Sequence, residues 1–263
     1  GNQVSGYILC QTKRAELPYF VENISTNIYS LEELCYYLYH NLYLIDETIM
    51  NEELCRWIQE ELELPGLAAK IRSKLGKFAV AEDIMYPVFK EINYLTYEEL
   101  KGLNIRLQKM NDEAPELHKK QKADALMENG MYVHAIQVYQ KLLENEKLEE
   151  IREGLTESVY HNLGCAYSYL FQMEKAVECF RRAYEGSRSR EALETYLIAF
   201  GVTRSPAEYE KMAKATGAER EILENIRAKL QKFSKTPEQE INKENMDEIL
   251  TRLTREYHRS TGS

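Results

Sequence analysis

Residues 160–183, YHNLGCAYSYLFQMEKAVECFRRA, decide how the chain is read. Tyr160, Leu163, Gly164 and Tyr167 recur at helical spacing on one face, and Ala176, Phe180 and Ala183 do so after a break. The pattern predicts a helix, a tight turn and a second helix. Gly164 and Ala176 carry almost no side chain, so two backbones can come close there while Tyr160, Tyr167 and Phe180 fill the surrounding space.

That order (aromatic, two residues, Leu-Gly, two residues, Tyr, then Ala, three residues, Phe) resembles the tetratricopeptide repeat. Tyr160 stands for the leading Trp, and Arg188 lies near where the closing Pro would fall. Working outward, Pro115 to Leu143 reads as a degenerate earlier pair. It has a helix to Glu128, a turn at Asn129-Gly130, and then Tyr132, Ala135, Tyr139 and Leu142. Lys122 and Ala123 replace the Leu-Gly step. Aligning Ala135 with Ala176 gives a step of 41 residues, against ~34 in the ordinary repeat, so the connection from Glu144 to Thr156 is expected to be long. A third pair follows. Leu193, Tyr196, Leu197 and Phe200 form its first face, Gly201 is expected to stop that helix, and Ser205 with Glu208 caps the next. In this pair Tyr209 occupies the place of a small residue.

The expected fold is all-α. A helical N-terminal domain over 1–112 is followed by tetratricopeptide-like pairs over 113–216, which the resemblance implies form a right-handed α-α superhelix. Capping helices are expected over 217–258, the last starting at Thr236-Pro237, and a disordered tail over 259–263.

The N-terminal part has its own helix signals. Ser30 with Glu33 caps a stripe of Leu31, Leu34, Cys35 and Leu38, Asn51 caps a helix bearing Leu54, Trp57 and Ile58, and Thr96 with Glu99 caps another through Leu103 and Leu107. Pro87 either kinks a helix or marks its first turn. The segment GYILCQ, 6–11, reads as a short strand or an extended arm. The helix from Leu31 carries Tyr36, Tyr37 and Tyr39 on different sides, which predicts several covering neighbours or one face open to a partner.

Composition excludes several classes. With 263 residues, 44 % apolar and 29 % charged, the chain is too apolar for disorder and long enough for a substantial core. The net charge of −9 is shared, −6 over 1–112 and −3 over the rest, so neither part is built for nucleic acid or anionic lipid. No apolar run spans a bilayer, and the start, GNQVSGYILCQTKR, lacks the charge-then-apolar order of a secretory leader. Five cysteines without C-x-x-C spacing fit a reducing cytoplasm. His40, His118, His134, His161 and His258 have no ligand spacing, and neither a P-loop nor a nucleophile elbow is present. No cofactor, metal or catalytic set is therefore expected.

What remains is binding. In a stack of helix pairs the first helix of each lines the concave side. That places Ser158, His161, Asn162, Cys165, Ser168 and Tyr169 on the groove, with Lys120 and Asp124 as counterparts on the preceding helix. A Lys120 ammonium and an Asn162 amide suit a peptide carboxylate or backbone. By resemblance these two match part of the carboxylate clamp of tetratricopeptide proteins that bind chaperone tails. Asp124 stands where the clamp has a second Asn, and Glu191 and Thr195 where it has basic residues. The expected function is a scaffold or adaptor for a protein or peptide partner. Two alternatives stay open: a peptide-sensing regulator acting through residues 1–112, and an enzyme with its site there.

Overall fold

The computed structural model describes residues 12–76 and 81–233. The expected arm at 6–11, Cys10, the final helix from Thr236, His258 and the tail lie outside the described residues. The chain forms two compact units, one ending at Met131 and one beginning at Tyr132.

The first unit opens with a small antiparallel ribbon, β1 (Tyr19–Val21) and β2 (Thr26–Ile28), with Tyr19 opposite Ile28. Each strand is only three residues long, and the rest of the described secondary structure is helical, as the all-α reading expects. Tyr19 and Val21 turn into the core while Phe20 faces water. Helices follow: α1 (Leu31–His40), α2 (Glu52–Glu60), α3 (Pro65–Arg72), α4 (Ala81–Glu91), α5 (Tyr97–Asp112) and α6 (Pro115–Glu128). The expected caps form. Ser30 Oγ accepts from Glu33 N–H, Asn51 Oδ1 from Leu54 N–H, and Thr96 with Glu99 closes a full capping box. Pro87 lies inside α4 and does not open it. Leu31, Leu34, Cys35, Leu38, Leu54 and Ile58 are wholly buried, and Trp57 Nε1 donates to the Leu17 carbonyl at 2.8 Å.

The tyrosines of α1 divide by side. Tyr37 is buried, Tyr39 meets Phe89 and Tyr94 edge-on, and Tyr36 is exposed beside His40. Tyr43, just beyond α1, donates its O–H to Glu113, whose carboxylate oxygens lie 2.9 Å away, and its ring meets His118. These contacts tie α6 to the short turn at Leu42–Leu44, so this unit continues past residue 112. By contrast α5 buries only Leu103 and Leu107 of its 16 residues.

The second unit contains α7 (Tyr132–Leu143), α8 (Leu148–Ile151), α9 (Leu155–Tyr169), α10 (Met173–Ser187), α11 (Arg190–Thr203), α12 (Pro206–Ala215) and α13 (Arg220–Phe233). Helix α9 packs on α7, α8 and α10, α10 on α11, and α11 on α12 and α13. Contact thus passes from neighbour to neighbour, as in a stacked helical array. The long connection expected between α7 and α9 is a helical turn, α8, pinned by buried Leu148.

Two turns repeat one geometry. At the end of α9, Gln172 N–H bonds to Tyr167 O and Phe171 N–H to Ser168 O, with Phe171 at φ 59°. At the end of α6, Met131 N–H bonds to Leu126 O and Gly130 N–H to Met127 O, with Gly130 at φ 73°. Both are Schellman closures, 41 residues apart in the chain. Ala135 and Ala176, separated by the same interval, are both wholly buried.

The close approach of α9 and α10 is made at Gly164. A Cβ placed there would lie 2.6, 2.8 and 2.9 Å from three atoms of the Phe180 ring, which is itself buried. Gly201, expected to stop its helix, instead sits within α11. It is in close contact with other side chains: a Cβ there would meet Leu230 at 2.7 Å and Tyr209 at 3.1 Å. Tyr209 is therefore no misfit. The missing side chain has moved to the facing helix.

Gly164→Ala and Gly102→Ala separate packing from propensity. Alanine gains about 1 kcal/mol of helix propensity over glycine in either helix. At Gly102 nothing lies within 4 Å of the added methyl, and thermal denaturation should show a gain of about 0.5–1 kcal/mol. At Gly164 the ring must move, and overpacking should outweigh propensity for a net loss of about 1–2 kcal/mol. Phe180→Leu in the Gly164→Ala background should recover part of that loss.

Candidate functional site

Of the seven predicted groove residues, Ser158, His161, Asn162, Cys165 and Tyr169 lie on α9, in the second unit. Their spacing of three and four residues sets them along one stripe of the helix. The first four are buried in the chain as it stands, with exposures of 4 % (Ser158), 1 % (His161), 7 % (Asn162) and 2 % (Cys165). Ser168, on the same stripe, turns its hydroxyl back to the Gly164 carbonyl at 2.9 Å. Tyr169 stacks flat on Tyr132 of α7, with ring centroids 4.5 Å apart.

Within the stripe His161 Nε2 lies 3.6 Å from Cys165 Sγ, and the imidazole also leans on Phe180 at 5.6 Å. A histidine beside a thiol is the geometry of an activated nucleophile, but the enclosure of both side chains gives a substrate no approach. Cys35 and Cys179 are disfavoured as thiolates by burial. Burial pushes Cys179 up to about 12, with Glu178 adding to it, and burial raises Cys35 further still, with help from Glu32. None of the four described cysteines, Cys35, Cys55, Cys165 and Cys179, is in a disulfide.

Lys120 and Asp124 lie on α6, in the first unit, and form an ion pair of 2.7 Å one helical turn apart. The lysine side chain is 2 % exposed and the aspartate 19 %. A lysine this enclosed is held by its partner, since an ammonium out of water without compensation costs several kcal/mol. Sequence spacing placed the two residues one turn apart but did not show that the cation is buried.

Among the described residues no three His, Cys, Asp or Glu side chains gather to hold a metal ion, and no helix is long and apolar enough to cross a membrane. A pair that the sequence reading missed is Glu149 on α8 and Glu157 on α9, whose carboxyl groups approach one another. Its sequence signal is faint, an acid five residues before the Gly154 that opens α9.

Helix α9, the Schellman turn at Phe171 and the Gly164–Phe180 contact against α10 together set the reading of this segment. Residues 157–186 match the family model of the tetratricopeptide repeat. The repeat thus lies in the C-terminal half, covering most of α9 and α10 and ending at Gly186. No curated protein and no solved structure matches the chain. The matched repeat is a helix pair, α9 on α10, with α7 packed against α9 and α11 against α10.

The Lys120–Asp124 pair gives a direct test of enclosure. Asp124→Ala should cost about 3 kcal/mol in chemical denaturation because it strands a buried ammonium. Glu224→Ala, which breaks the exposed Arg220–Glu224 pair, should cost no more than about 0.5 kcal/mol.

Proposed function

We propose that the chain is a non-catalytic interaction scaffold in which the polar stripe of α9 receives a segment of a partner protein. The observation that carries this reading is the composition of the stripe. Ser158, His161 and Asn162 sit where a helix serving only its core would carry apolar side chains. An amide and an imidazole at adjacent positions suit the backbone and carboxylate groups of an extended peptide. The tetratricopeptide match supports a protein partner over a small molecule.

The burial of the same residues favours a second, regulatory reading. A partner that uses Asn162 or His161 must uncover them first, so docking and conformation would be linked through whatever free energy the uncovering costs. Free and partner-bound structures that superimpose throughout would overturn this coupling.

Affinity capture from cell extract, comparing the intact protein with a His161→Ala, Asn162→Ala variant, tests the docking role. Melting curves of the two proteins should first show that both are folded. At least one partner retained by the intact protein should be lost from the variant by tenfold or more, about 1.4 kcal/mol. Equal recoveries would rule out the stripe as the docking surface.

A further inference from the structure

The connection between α7 and α9 carries a carboxyl pair whose arrangement makes sense only with a proton between its members. Glu149 reaches from α8 to the start of α9, where its two oxygens accept N–H bonds from Gly154 at 2.9 Å and Thr156 at 3.0 Å. Both oxygens are thus engaged as acceptors at the positive end of the helix, which favours the anion at this carboxyl. Glu157 lies under the backbone of α10. A Cβ on Gly186 would stand 2.7 Å from Glu157 Cγ and overlap its carboxyl. Its Oε2 is sealed from water and meets no donor, yet the Glu149 side chain is within hydrogen-bonding reach. Two carboxylates cannot bond to each other, whereas a carboxylic acid and a carboxylate can.

We propose that Glu157 is held as the carboxylic acid and donates its O–H to the Glu149 carboxylate, so that one shared proton latches α8 onto the first turn of α9. When the proton leaves to solvent, two anions face each other and α8 with its N–H contacts comes loose. The proposal does not depend on the docking reading.

Among the described residues neither carboxyl forms an ion pair, and no cation acts appreciably on either. From α8 and the turn after it, Glu149 is joined by exposed Glu150, Arg152 and Glu153. On α10, Arg182 is occupied by Tyr160 and Glu178, Arg181 by Glu178 and Glu185, and Arg188 lies over the Tyr184 ring. The electrostatics agree with the geometry. Burial, then the bond to and charge of Glu149, raises Glu157 above the ordinary glutamate range. Burial works against ionising Glu149 as well, but the N–H groups of Gly154 and Thr156 and the Glu157 hydroxyl overcome it and hold Glu149 below that range.

The sign of the pH dependence follows. A carboxyl raised in the folded state stabilises below the unfolded value, and that contribution is lost as pH rises through its native value. Glu149, being lowered, contributes above the unfolded value and loses this contribution as pH falls through its native value. The latch is therefore closed between the two native values and opens on the alkaline side when Glu157 ionises.

Carbon-13 NMR of the glutamate carboxyls, followed from about pH 4 (near the ordinary glutamate value) to about pH 8 in the full chain, tests this. One carboxyl should titrate above the ordinary range and be missing from Glu157→Gln. Gly186→Ala, whose methyl expels the Glu157 carboxyl towards water, should return that titration to the ordinary range. Protection of the Gly154 and Thr156 amides against exchange, corrected for intrinsic rates, should fall across the same step, by about tenfold for each pH unit by which Glu157 is raised. In Glu157→Gln, whose amide keeps the donor, protection should stay flat. If no glutamate titrates above the ordinary range, or Gly186→Ala leaves the elevated titration in place, the shared proton is wrong. Both of those readouts survive a failure of Glu157→Gln to fold.

Discussion

The Phe180 ring lies so close to the bare Cα of Gly164 that no methyl group would fit between them. This contact sets how near α9 and α10 come, and the rest of the second unit is arranged on its consequences. Two helices that approach this closely bring their outer sides within reach of α7 on one flank and α11 on the other. Gln140 donates to the Tyr167 hydroxyl at 2.6 Å, and Tyr184 stacks on Tyr196. Each helix is then stabilised chiefly by the next one along, so order in the unit depends on adjacent contacts and not on one central core.

Such a stack has a cost that shows on α9. A helix with neighbours on several sides has no fully solvated face to carry its polar residues, and eleven of the residues of α9 are buried. Ser168 settles its hydroxyl on its own backbone, Thr195 of α11 does the same with the Glu191 carbonyl, and His161 turns to a thiol. These are local bonds, made within one helical turn, that keep buried polar atoms satisfied.

Much of this was legible in the sequence because it is local. Caps at Ser30, Asn51 and Thr96 are set by a side chain and an amide three residues on, and the 41-residue step between Ala135 and Ala176 is a matter of counting. What sequence hid depends on surroundings. The strands at Tyr19–Val21 and Thr26–Ile28 are too short for alternation to stand out, and Pro87 could be read either as a kink or as a first turn because its tolerance inside α4 is set by neighbours. At the candidate site, spacing put His161, Asn162 and Cys165 on one stripe of α9, but exposure is a property of what lies over a helix. The Glu149–Glu157 pair escaped notice for the same reason, since acids eight residues apart have no common periodicity.

The glycine at 201 carries a lesson about how such arrays diverge. In the matched segment the void is on the first helix and the ring on the second, at Gly164 and Phe180; in the next pair Gly201 near the end of α11 receives both Tyr209 and Leu230. Fit between two surfaces belongs to neither surface alone: either partner can carry the bulk so long as the other leaves the gap.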